Sequence, residues 1–146
     1  MAMKSAFFRL AIAPTALLLA GAFVIVMPAT AIAGEPRYES IVLSDVKDGA
    51  VRKVFGPSTP QVVLTARLAD VPSGSKLKCV WIAEKTQVAP PNYEIDKTEL
   101  TGGGAINRVT FSLSRPNAGW PAGDYRVDLF VNNKPASTVR FSVTPK

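Results

Sequence analysis

The sequence predicts an all-β fold of two packed sheets, and three observations carry that prediction. Short segments alternate their side chains with a period of two, as in Tyr125, Val127, Leu129 and Val131 against Arg126, Asp128, Phe130 and Asn132. Turns rich in proline and glycine separate them, and no long stretch has the 3.6-residue period of an amphipathic helix. Six or seven such segments within one small domain favour a sandwich, with a small β-barrel as the runner-up, because strand number and alternation do not fix closure.

The chain has 146 residues, and its start reads as a targeting segment. Lys4 and Arg9 precede a largely apolar run from Leu10 to Met27, and Ala31-Ile32-Ala33 places small residues where a signal peptidase reads. Residues 1–33 are therefore expected to be a signal peptide cleaved after Ala33, with a periplasmic or secreted product. The rival is an uncleaved membrane anchor; Pro28, which ends a helix, and the small residues after it, which offer an extended cleavage site, argue against it. No stable membrane span is expected once the leader is removed. Residues 34–38 read as a flexible N-terminal arm and residues 39–146 as the sandwich.

In order, Glu39 to Ser44 is the first strand, with Ile41 and Leu43 on one side. Val51 to Phe55 continues a sheet edge before the breaker Gly56-Pro57-Ser58-Thr59-Pro60, and Phe55 plugs the core. Gln61 to Leu68 alternates clearly. Val71-Pro-Ser-Gly-Ser75 turns the chain into Lys76 to Glu84, where Leu77, Cys79 and Trp81 share the core side. Val80 and Ile82 fall on the opposite side, where either a neighbouring loop covers them or they expose a small apolar strip for a partner. Pro90-Pro91 demands an irregular or edge backbone, and Asn92 to Asp96 or beyond can form a strand there. Ile106 to Ser114 sets Val109, Phe111 and Leu113 inward. The Tyr125 strand follows, then Asn132-Asn133 as a two-residue hairpin turn, then Val139, Phe141 and Val143 on the return.

Composition narrows the chemistry. There is no histidine, which removes histidine metal sites and histidine-based triads from consideration. Cys79 is the single cysteine, so an internal disulfide is impossible, and its parity places it in the core as a small apolar side chain. Glu94, Asp96 and Glu99 lack the spacing of a calcium loop and read as solvated charges. Asp124 and Asp128 flank Arg126, which offsets their charge. Thr101-Gly-Gly-Gly104 leads to no helix and so is no phosphate cradle. No catalytic residue, metal site or cofactor is expected. The basic residues are dispersed within a net charge of +6, and nucleic acid is not an expected partner of an exported chain.

The segment Trp120-Pro-Ala-Gly-Asp-Tyr-Arg-Val127 resembles a pattern of immunoglobulin-like domains in exported bacterial proteins of mostly uncharacterised function. The resemblance spans Glu39 to Val143 and includes the apolar segment ending at Phe55, Val71 to Leu77, and Trp81. It implies an immunoglobulin-like sandwich without an assigned activity. It also implies that Tyr125 anchors a corner through its hydroxyl, and that Val127 stands where a disulfide-linked domain has cysteine. The expected structural core is thus Leu77, Cys79, Trp81, Phe111, Tyr125, Val127 and Phe141. The expected function is a non-catalytic interaction or structural module of the bacterial envelope, using Val80 and Ile82. Trp120, beside Pro121 and a glycine turn, is expected to close one end of the sandwich, the rival being a partly exposed binding aromatic. The alternative function is a carbohydrate-binding module using Tyr93 or an exposed Trp120, with a cell-surface glycan as ligand. Self-association is the remaining expectation about partners.

Overall fold

The computed structural model describes residues 25–27, 29, 30, 32 and 34–146. The leader expected over residues 1–33, with its cleavage point, lies almost wholly outside the described residues. Residues 32–146 form a compact unit of their own.

Eight strands make this unit: β1 (Arg37–Ser44), β2 (Val54–Phe55), β3 (Gln61–Ala69), β4 (Ser75–Thr86), β5 (Tyr93–Gly102), β6 (Arg108–Ser114), β7 (Gly123–Val131) and β8 (Lys134–Val143). They form one three-stranded sheet, β1-β3-β6, and one five-stranded sheet, β2-β8-β7-β4-β5. Every pairing is antiparallel except β2 with β8, which is parallel. No strand is shared between the sheets, so the fold is a sandwich and not the closed barrel.

Each sheet turns one face inward because its strands alternate. In β6 Val109, Phe111 and Leu113 are buried while Arg108, Thr110, Ser112 and Ser114 are exposed. In β4 Leu77, Cys79 and Trp81 enter the same buried cluster as Leu64 of β3 and Val127 and Leu129 of β7. Burying each large side chain contributes roughly 1.5–3 kcal/mol, which is how a domain without a disulfide holds together. Phe141 is the aromatic centre: Tyr125 stacks on it at 5.1 Å, while Phe55 and Trp81 meet it edge-on at 5.5 and 6.4 Å. Trp81 Nε1 is buried with no hydrogen-bond partner among the described residues.

The β7–β8 hairpin turns through Asn132 and Asn133 at φ of 49° and 65°, the left-handed pair that a two-residue turn requires. One boundary differs from the sequence reading. The arm expected at 34–38 is partly strand, since β1 starts at Arg37 and Tyr38 is buried, its hydroxyl donating to the Phe130 carbonyl oxygen at 2.8 Å. That bond joins the two sheets and removes the freedom an arm would have. The strand expected over Asn92 to Asp96 or beyond runs from Tyr93 to Gly102, because β4 pairs with it from Ala83 to Ser75.

Candidate functional cleft

One end of the sandwich carries the β2–β3, β4–β5 and β6–β7 connections, and a cavity of about 370 Å³ opens between the last two. The Pro-rich sequences expected to break strands build its walls. Residues 87–92 hold Val88 and Pro90 on one side, and residues 115–122 hold Pro116 and Pro121 on the other. Tyr93 stands at the rim, and Trp120 and Tyr125 form the floor.

Both floor aromatics have committed their polar atoms to the backbone. Trp120 Nε1 donates to the Thr59 carbonyl oxygen at 2.8 Å, and the Trp120 amide donates to the Pro57 carbonyl oxygen at 3.0 Å. The Tyr125 hydroxyl donates to the Pro121 carbonyl oxygen at 2.5 Å, closing the corner that the resemblance implies. Burial pushes this hydroxyl up to about 12, so it remains a neutral donor. The two rings meet edge-on at 6.0 Å. On the opposite wall, the Asn92 amide donates to the Glu84 carbonyl oxygen at 3.1 Å, and Asn92 Oδ1 accepts from Arg126 at 2.6 Å. The cleft is therefore held open by bonds already made.

What it presents to a ligand is mainly hydrocarbon. Among the described residues no charged side chain lines it, and the buried Thr86 Oγ1 at its edge has no partner. A cavity of similar size near the start of β1 is different in kind: Glu35, Arg37 and Lys134 line it, and Lys134 is ion-paired with Glu35. Among the described residues no three His, Cys, Asp or Glu side chains gather as metal ligands would.

The structure places the four surface residues expected from sequence very differently. Tyr93 is exposed, at 52%. Trp120 is not: it retains 3% exposure, because its ring lies between the sheets' ends with its nitrogen bonded to Thr59, and it offers the cleft an edge of its floor, not a free face. Val80 and Ile82 are also buried, at 8% and 9%, so they form no exposed strip. They lie on the outer face of the five-stranded sheet, where Lys97 and Asp128 oppose Val80, and Glu94 and Arg126 oppose Ile82. The stems of long charged side chains cover apolar neighbours in such positions. There Arg126 bonds Glu84 and Asp128 at 3.3 and 3.2 Å, a half-buried network. Sequence reasoning missed Val88, Pro90 and Pro116 as cleft walls; the proline cluster was the available signal.

The seven expected core residues, Leu77, Cys79, Trp81, Phe111, Tyr125, Val127 and Phe141, are all buried in one cluster. Cys79 is wholly enclosed; burial, with Asp96 and Asp128 adding to it, pushes its thiol well above the usual range, which keeps it protonated.

No protein-family model matches the sequence, and no curated protein matches it. Among solved structures the chain is similar to an immunoglobulin-like protein of Pseudomonas aeruginosa, with a TM-score of 0.53 and 13% identity over 77% of this chain and 99% of that one. An alkylpurine DNA glycosylase of Pseudomonas fluorescens matches with a TM-score of 0.49 and 10% identity, over 77% of this chain and 31% of that one. A β-glucosidase of Listeria innocua gives 0.46 and 11%, over 75% of this chain and 16% of that one. What the first likeness shows is the architecture: the chain has an immunoglobulin-like two-sheet fold.

Proposed function

We propose that the chain is an exported, non-catalytic interaction module of the bacterial envelope, and that its end cleft takes an uncharged apolar peptide segment of an envelope protein. The observation that carries the reading is the lining: a preorganised concavity of about 370 Å³ with no charge, three prolines and an exposed tyrosine at its rim. Specific pockets are of this size and are largely apolar, with few oriented polar groups. Tyr93 adds an amphipathic ring of the sort that anchors interfaces. Export is supported by the leader-like residues 1–33, and no helix among the described residues is long and apolar enough to cross a membrane.

The carbohydrate reading has less support. A sugar needs an open aromatic face and polar side chains for its hydroxyls, whereas Trp120 is enclosed and only Thr86 and Tyr93 bring side-chain polar atoms that are not already bonded.

The test titrates ¹⁵N-labelled 34–146 domain with a panel of uncharged peptides rich in proline, valine and leucine. Binding should shift the signals of Ala83, Thr86 and the Trp120 indole, and Tyr93→Ala or Val88→Asp should weaken it at least about tenfold, or 1.4 kcal/mol. If no peptide binds and a cell-envelope glycan array shows binding lost in Tyr93→Ala, the carbohydrate reading replaces this one. Recovery from a bacterial periplasmic fraction of a chain starting at Gly34 supports export; a full-length chain in the membrane fraction supports the anchor.

A further inference from the structure

A sandwich exposes four sheet edges, and an unguarded edge is a template for another strand. Three of these four are guarded. β2 is two residues long, and the part of β8 that it leaves unpaired carries Lys134, Pro135 and Arg140 and a register shift at Ala136. β1 is kinked where its register shifts between Glu39 and Val42, with Ser40 at a φ of 49°. β5 carries Glu94, Asp96, Lys97 and Glu99 and a register shift of its own opposite Trp81 and Ile82. Short length, bulges and charge are the devices by which edges avoid pairing.

β6 has none of them. It pairs with β3 over seven residues without a register shift. It contains no proline or glycine, and its single charge, Arg108, stands at its first position. Its outer backbone groups can be assigned. Asn107 accepts from Leu68, and the Arg115 amide donates to Pro60, so odd-numbered residues face β3. In an antiparallel ladder the alternate residues then point their N–H and C=O groups away. Those residues are Arg108, Thr110, Ser112 and Ser114, whose side chains are exposed, and no strand among the described residues pairs with them.

We infer that β6 pairs with β6 of a second copy of this chain, antiparallel about a two-fold axis at Phe111, to make one continuous six-stranded sheet. The sequence of the strand selects this occupant and orientation. About Phe111, Thr110 faces the partner's Ser112 and Arg108 faces the partner's Ser114. Each is a closely paired position at which two hydrogen bonds are exchanged. Hydroxyl side chains opposite each other stabilise such pairs, and like charges opposite each other destabilise them. Antiparallel pairing puts the two Arg108 side chains at opposite ends, whereas parallel pairing would put them side by side. Val109, Phe111 and Leu113 are already buried in their own domain, so nothing must rearrange.

The inference is independent of the cleft. Contact along a single strand pair lies at the small end of interface sizes, so the dissociation constant should lie between about 10 µM and 1 mM. Sedimentation equilibrium on the 34–146 domain should show a dimer in that range. Thr110→Lys with Ser112→Lys sets lysine against lysine twice and should raise the constant at least tenfold. Thr110→Lys with Ser112→Glu sets lysine against glutamate twice and should restore the native value or better. Ser112→Pro, which removes an outward N–H and no intrachain bond, should abolish association while leaving the monomer folded by circular dichroism. Tyr93→Ala should leave association unchanged. A native domain that stays monomeric at about 1 mM, a double-lysine form that associates as tightly as the native one, or a lysine–glutamate form that remains monomeric overturns the inference.

Discussion

Tyr125→Phe isolates one hydroxyl on which both the corner and the cleft depend. The ring stays, so its stacking on Phe141 at 5.1 Å and its edge contact with Trp120 at 6.0 Å are retained. What is lost is the 2.5 Å bond to the Pro121 carbonyl oxygen. A buried hydrogen bond contributes about 0.5–1.5 kcal/mol, and an acceptor left unpaired adds to the loss. Pro121 is half-buried, so water reaches its carbonyl in part, and the expected total is about 1–2 kcal/mol. For a domain of this size that lowers the melting temperature by roughly 3–10 °C. Urea denaturation followed by tryptophan fluorescence should show a lower midpoint with an unchanged m-value, because the same surface is exposed on unfolding. Tyr38→Phe is the matched comparison: it removes a 2.8 Å bond to the Phe130 carbonyl oxygen elsewhere in the core. Both variants should lose similar stability, but only Tyr125→Phe should weaken peptide binding, since only Pro121 is a cleft wall. A loss under about 0.5 kcal/mol for Tyr125→Phe, or equal effects of the two variants on binding, would refute this reasoning.

Gly123→Ala should destabilise by about 2–4 kcal/mol on chemical denaturation, because Gly123 has a φ of 148° and a Cβ there would meet the Lys85 carbonyl oxygen at 2.1 Å; a near-native midpoint would contradict it. Val80→Asp should cost about 2–4 kcal/mol, since the new carboxylate is enclosed opposite Asp128, and a native melting temperature would mean that Val80 faces solvent after all. Alkaline titration follows from burial of Cys79, Tyr38 and Tyr125, which pushes the thiol well above its ordinary 9.0, the Tyr38 hydroxyl well above 10.0 and the Tyr125 hydroxyl up to about 12. Folded pKa values above unfolded ones mean that stability is complete below about pH 9 and falls as pH rises, because the unfolded chain releases protons that the folded chain retains. The slope should reach about 1.4 kcal/mol per pH unit per group; Cys79→Val should remove the part that begins near pH 9 and leave the part above pH 10, and an unchanged profile would count against the buried thiol.

What the sequence made legible was set by how local the determining physics is. Leu77, Cys79 and Trp81 share a face through parity alone, and Asn132-Asn133 turns the chain through the backbone freedom of two residues, so both could be read directly. β1 could not be followed to its start: Tyr38 and Leu43 have opposite parity yet both enter the core, which happens because Ser40 takes a left-handed φ and shifts the register between them. β5 hides for another reason. As an edge strand with a wet outer face it shows little alternation, and its full length to Gly102 is fixed by pairing with β4.

Exposure is less local still: Val80 and Ile82 form no open strip, and of the two roles open to Trp120 the structure takes the closing of one end of the sandwich and not the exposed aromatic. Apolar residues of outward parity are exposed only if their cross-strand neighbours are short. Here the neighbours are Lys97, Asp128, Glu94 and Arg126. Trp120 is fixed by carbonyl oxygens of Pro57 and Thr59, about sixty residues upstream, which nothing in its own segment announces. The tryptophan and tyrosine singled out for open aromatic faces do share one cleft, but the roles divide. Trp120 spends its nitrogen on the scaffold and becomes floor, and Tyr93 keeps a free face at the rim. That division supports the proposed peptide ligand over a sugar, since one exposed ring beside three prolines, with no charge among the described lining residues, suits an apolar segment better than a ring of hydroxyls.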